Sequence, residues 1–119
     1  MKTLLIAAAL CVPALAEAQS HACVDSTVHF EFQMSTPARW LPDSTLVVHP
    51  TPSVRNPSNL IQFIVDTLGA VQPSTFKVLK VADSAAVLEA RRSVARWRFS
   101  PAILDDCRVK QLVQTPIGR

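Results

Sequence analysis

Thr27 to Met34 alternates without a break: Val28, Phe30, Phe32 and Met34 fall on one side, His29, Glu31 and Gln33 on the other. Period two with aromatic and branched residues predicts a half-buried strand. Residues 35–58 lose the pattern. Pro37, Pro42, Pro50, Pro52 and Pro57 stand among Ser, Thr and Asn. Proline removes a backbone donor, so this stretch reads as a connection with a short extended piece at 46–48, not as a central strand. Leu60 to Val65 predicts a second strand, with Ile61, Phe63 and Val65 on one face and Leu60 and Ile64 making the other apolar too. Asp66-Thr67-Leu68-Gly69 predicts a hairpin turn in which Gly69 supplies a positive φ, and a third strand follows over Phe76 to Val81. Asp83 or Ser84 is placed to cap a helix over Ala85 to Arg96. Its buried stripe is Val87, Ala90, Val94 and Trp97, and Pro101 forces its end by Ser100. Arg108 to Thr115 is the last strand, and Pro116 marks an edge or an exit from the sheet. This order predicts an α+β two-layer domain: an antiparallel sheet with one main helix packed on one face, preceded by an extra N-terminal strand.

The first residues carry a different signal. Lys2, an apolar stretch from Leu4 to Leu10, Pro13 and the small-x-small triplet Ala16-Glu17-Ala18 predict a secretory signal over residues 1–18, cleaved before Gln19. Spanning a bilayer takes roughly 20 apolar residues, and Pro13 and Glu17 interrupt this stretch sooner. The alternative is a retained inner-membrane anchor. Cys23 and Cys107 remain after cleavage. In an exported chain they read as a disulfide enclosing nearly the whole domain, worth about 4–5 kcal/mol on the loop-entropy model; the other reading is two buried, unpaired thiols. Of 119 residues, 49% are apolar and 18% charged, with a net charge of +3, which excludes a disordered chain. The charge is uneven: residues 19–76 are net −2 and residues 77–119 net +5. A basic half can steer an acidic partner, although a solvated helix face is the better account of such a charge run.

Little points to chemistry. His21, His29 and His49 share no metal-ligand spacing with one another or with Cys23. Two glycines exclude a phosphate-cradling loop, and no nucleophile stands near a recognisable base. Asp105-Asp106 is a carboxylate pair in a turn. Cleavage before Gln19 exposes Gln19-Ser20-His21, whose amine, amides and imidazole suit a square-planar Cu(II) or Ni(II) ion, though many secreted chains carry such a tripeptide by chance. The expectation is a protein that is not an enzyme and uses no cofactor, metal or nucleic acid.

From Leu60 onward the residues resemble the C-terminal domain of the TonB energy-transducer family. Ile61-Gln62-Phe63-Ile64-Val65-Asp66 with Gly69 is similar to the family's first strand and its D-x-x-G hairpin, and Phe76-Lys77-Val78-Leu79-Lys80 to its second strand. Trp97-Arg98-Phe99-Ser100-Pro101-Ala102 resembles its W-R-F-x-P-A signature. Val109, Leu112, Val113 and Pro116-Ile117 resemble its last strand. The resemblance implies a TonB C-terminal-like domain over 59–119, after a strand and Pro-rich connection over 19–58. It implies a periplasmic protein-binding module for TonB-dependent transport. In the family, a peptide of an outer-membrane receptor pairs beside the last strand. Here that strand is Arg108, Val109, Lys110, Gln111, Leu112, Val113 and Gln114, with a receptor or another part of the transport complex as partner. The alternative is a structural or assembly protein that reuses the fold as a homodimer through an exposed edge.

Overall fold

The computed structural model describes Cys23 and residues 26–119. The signal segment and the Gln19-Ser20-His21 tripeptide lie outside the described residues. In chain order the elements are β1 (Val28–Phe30), a 3-10 turn (Glu31–Gln33), β2 (Arg39–Trp40), β3 (His49–Pro50), β4 (Leu60–Val65) and β5 (Val71–Lys80). They continue with α1 (Ser84–Ser93), a second 3-10 turn (Val94–Arg96), β6 (Phe99–Ser100), β7 (Ala102–Leu104) and β8 (Cys107–Gly118). Together the described residues form a small α+β domain with one α-helix and a mixed sheet. The main strand order is β1-β8-β4-β5. β4 lies antiparallel to both β5 and β8. β1 runs parallel to β8, so the sheet is not the purely antiparallel one that the pattern suggests.

One face of this sheet is the core. The register pairs Ile61 with Thr115, Phe63 with Val113 and Val65 with Gln111, so these side chains share a face. α1 lays Val87 and Ala90 on it, and Val94 and Trp97 continue the stripe through the following turn. The helix begins where expected: the Asp83 carboxylate accepts from the N–H groups of Ala85 and Ala86 at 3.0 and 3.2 Å, satisfying two orphan donors. Asn59 Oδ1 accepts from the N–H groups of Ala82 and Asp83 just upstream, which fixes the helix entry to the start of β4. Trp97 meets Phe63 edge-on at 5.7 Å, and Phe99 lies 5.6 Å from the same ring.

Two turns explain local sequence. Asp66 Oδ1 accepts from the N–H groups of Leu68 and Ala70, and Gly69 takes a φ of +85°, as the hairpin reading required. Asp105 and Asp106 have φ of 53° and 66° and join β7 to β8 through the Leu104–Cys107 pair. Two positive-φ residues between paired strands are the requirement of a type I′ hairpin, which short polar side chains tolerate. The carboxylate pair is therefore a turn device.

Three strand expectations change. The N-terminal strand ends at Phe30, where the Phe30 N–H donates to Gln33 Oε1 at 2.8 Å and the chain coils. Its apolar side is not half-buried: Val28, Phe30 and Phe32 are 37, 50 and 85% exposed. Register is the reason. Val28 and Phe30 pair with Lys110 and Leu112, on the face of β8 away from the core. The third strand starts five residues early, at Val71, and passes through Pro73. It is the outer strand of the main order, where a missing donor is tolerated. Thr75 Oγ1 accepts from the Ile64 N–H at 2.9 Å where the register slips. Finally, β8 runs on through Pro116. The Pro116 carbonyl accepts from the Thr51 N–H at 2.9 Å. A strand residue aims its N–H and C=O to the same side, so the donor that Pro116 lacks lies away from β4 and breaks no bond of that ladder.

Candidate functional site

β8 carries all seven residues singled out for strand addition, and the structure places them in mid-sheet. β4 flanks β8 over 111–116 on one side. On the other side β7 pairs with Cys107–Val109, β1 with Lys110–Leu112 and β3 with Ile117–Gly118. The strip is therefore not the bare edge that the sequence suggests. Arg108 and Gln114 are exposed, Lys110, Leu112 and Val113 are half-buried, and Val109 and Gln111 are buried. Gln111 faces the core and is spoken for, since its Oε1 accepts from the Ala38 N–H at 2.8 Å. That bond ties the Pro-rich segment to the sheet.

The side of β8 opposite β4 has one stretch with no strand beside it among the described residues, Val113 to Thr115. A groove of about 390 Å³ opens there, floored by Gln111, Val113 and Thr115 and walled by Pro37, Trp40 and Pro50. Trp40 is held rigid by stacking on His49, with ring centroids 4.8 Å apart and planes 3° apart. It is also fixed by the β2–β6 pair, in which Trp40 sits opposite Phe99. Aromatic and proline walls beside a strand with an unpaired backbone are the elements of an extended-peptide groove. Sequence reasoning missed Trp40 and Pro50 because the Pro-studded stretch read as mere connection, and Thr115 because the candidate strip stopped at Gln114. The signal available was Trp40 itself, a large apolar residue in a polar segment.

Glu31 and Arg39 also line this groove. Asp43 is held below the usual carboxylate range by the Thr45 hydroxyl first and the Thr45 N–H second, but it is exposed in a turn. Among the described residues no three His, Cys, Asp or Glu side chains gather as metal ligands, and no helix is long and apolar enough to cross a membrane.

The sulfurs of Cys23 and Cys107 lie 2.07 Å apart, in disulfide geometry, with Cα atoms at 5.2 Å. Cys107 opens β8, so the bond anchors the arm that bears β1. It spans 84 residues of sequence, which on the unfolded chain alone is worth about 4–5 kcal/mol. The native state returns most of that. The Ser35 and Thr36 N–H groups donate to the Ile103 carbonyl at 2.9 and 3.0 Å, so without the bond Cys23 still hangs near Cys107 on a short tether. Loop entropy follows the logarithm of length, and the difference between the two loops is about 1.5–2 kcal/mol. Replacing Cys23 and Cys107 together by Ser is expected to lower the unfolding free energy by about 2 kcal/mol in urea denaturation. A loss near 5 kcal/mol would mean that the arm is held fast without the bond.

Compared with family models, with curated proteins and with solved structures, the chain finds no match in any of the three.

Proposed function

We propose that this domain is a periplasmic peptide-binding module of the TonB type, not an enzyme, which takes an extended segment of an outer-membrane receptor or transport-complex partner as an added strand on β8. The observation that carries the reading is that β8 already accepts a strand on its outer side: β1 is seated there in parallel over Lys110–Leu112. The groove continues that line over Val113–Thr115. Main-chain hydrogen bonds along such a strand give affinity, and flanking pockets give selectivity. The unit β4–β5–α1–β8, with the W-R-F-x-P-A residues Trp97 to Ala102 in the connection between α1 and β8, supplies a stiff base for it.

A proline in β8 is a poor probe, because Gln111 and Leu112 pair on both sides. The proline belongs in the peptide. Titrating the isotopically labelled chain with N-terminal peptides of outer-membrane receptors is expected to shift the backbone amides of Lys110 to Thr115 and leave those of α1 in place. The same peptide with a central proline should bind at least about tenfold more weakly, having lost a ladder donor. Shifts confined to the basic face of α1, or none at millimolar peptide, reject the reading.

The homodimer alternative also moves. Among the described residues the main strand order ends in β1 and β5, with β8 inside it, and Pro73, Lys77 and Lys80 blunt the longer of these edges, β5, as charged and proline-bearing edges usually are. A dimer along β5 would show in sedimentation velocity at micromolar chain.

A further inference from the structure

We infer that β1 is a resident stand-in for the segment that β8 grips, held in place by the Cys23–Cys107 bond and displaced when a competing strand arrives. The inference rests on the reading of β8 as a strand-accepting surface.

β1 is seated by very little of its own. Its ladder has three positions, Val28 with Lys110, His29 with Gln111 and Phe30 with Leu112. Its large apolar side chains contribute nothing to the core. Val28 and Phe30 lie on the outer face at 37 and 50% exposure, and Phe30 stacks on Phe32, itself 85% exposed, at 5.7 Å. The Phe30 N–H goes to Gln33 rather than to β8, and successive residues of a strand point their N–H groups to opposite sides, so the ladder donor of β1 is that of His29. Burial drives most strand docking, and here it is slight. Tethering supplies the difference: the Ser35 and Thr36 N–H groups pin the arm to Ile103 at one end, and the disulfide pins it at the other. Cys23 stands five residues before Val28 and is bonded to the first residue of β8. A tether this short keeps the arm at an effective concentration on the order of millimolar beside its site.

The alternation of the arm then has a use. Thr27 to Met34 is patterned as a strand with one apolar side, yet among the described residues no layer covers Val28, Phe30 and Phe32 on that side. It matches what a strand-accepting surface takes: backbone donors and acceptors on one edge and alternate apolar side chains. An incoming segment that runs past Leu112 gains the stretch Val113–Thr115 and the Trp40 groove, which β1 does not use because it coils at Glu31. The incoming strand thus has a longer ladder than the resident one, and exchange favours it.

The test uses the whole chain in three forms: with its disulfide intact, with Cys23 and Cys107 both replaced by Ser, and with the disulfide intact and His29→Pro. The probe is a fluorescent peptide copying residues 26–33. The intact chain should bind it weakly. Both altered forms should bind it at least about tenfold more tightly, since the tethered competitor is weakened or gone. Amide hydrogen exchange supplies the second readout. Lys110 to Leu112 should lose protection in the two altered forms and regain it with the probe, while β4 and α1 stay protected. If the double-Ser form loses β4 protection it has unfolded, and His29→Pro alone then decides. Unchanged affinity with undiminished protection at Lys110–Leu112 in a folded altered form overturns the inference. The two readings fail separately. Binding of the arm copy but of no receptor peptide upholds the stand-in and removes the TonB-type function. Receptor peptides that bind all three forms equally uphold the function and remove the stand-in.

Discussion

Replacing Trp97 by Ala is expected to destabilise the domain by about 3–5 kcal/mol, a large part of what a chain of this size has to lose. The indole is fully buried. It meets Phe63 edge-on and closes the end of the helix over β4, so its removal leaves a cavity that the backbone at the Trp97–Phe99 corner cannot easily fill. Trp97→Phe separates volume from polarity. The indole N–H is buried with no hydrogen-bond partner among the described residues, and an unmade bond of that kind is itself unfavourable by about 1–3 kcal/mol. Phenylalanine loses some volume and removes the orphan donor, so its loss should be less than half that of Ala. Urea denaturation followed by circular dichroism measures both. Equal losses would show that the indole ring is not what fills the corner.

Gly69→Ala should be nearly as damaging, by about 2–4 kcal/mol, although it adds a single methyl group. Two effects combine. The φ of +85° disfavours any side chain, and a Cβ built there falls on the carbonyl oxygen of Phe99. The hairpin lies directly against β6, with the Phe99 N–H donating to the Gly69 carbonyl at 2.8 Å. Making room for the methyl moves Phe99, which packs on Phe63. Leu68→Ala in the same turn is the control: Leu68 is 78% exposed, and its loss should stay within about 0.5 kcal/mol. Thermal unfolding of the two variants compares them; similar melting temperatures would mean that the turn gives way without disturbing Phe99.

The parts legible in the sequence are those whose signals are local. The alternation in Leu60–Val65, Asp66 and Gly69 in the turn, the Asp83 cap and the Val87–Ala90–Val94–Trp97 stripe each act within a few residues, and each is where it was expected. What was not legible depends on partners. The pattern of Thr27–Met34 marks two sides of a strand but does not say which faces the core. That is set by its register with Lys110 and Leu112, about eighty residues away along the chain. The prolines of 35–58 correctly exclude a long strand, yet they report only on backbone donors. They are silent about Leu46 and Val48, which are buried in the core, and about Trp40 and Pro50, which wall the groove. Pro116 misled for the same reason. A missing donor ends a ladder only on the side it faces, and that side was settled by Thr51. The candidate strip on β8 was read as an edge because the strands that flank it opposite β4 are only three residues long: β7, joined to β8 by the Asp105–Asp106 turn, and β1, which comes from the far end of the domain.

β8 also sets the order in which the domain comes together. It is last of the elements in the chain, and it pairs with β1, β3, β4 and β7. Before it exists, the rest has one hairpin, β4 with β5, and a helix whose apolar stripe lies over a sheet two strands wide. Isolated hairpins are marginal in water. Pairings this distant in sequence close late and slowly, on the millisecond-to-second scale of non-local sheets. A sheet built this way closes in one step, when β8 takes its place between β4 and the short strands β1, β3 and β7.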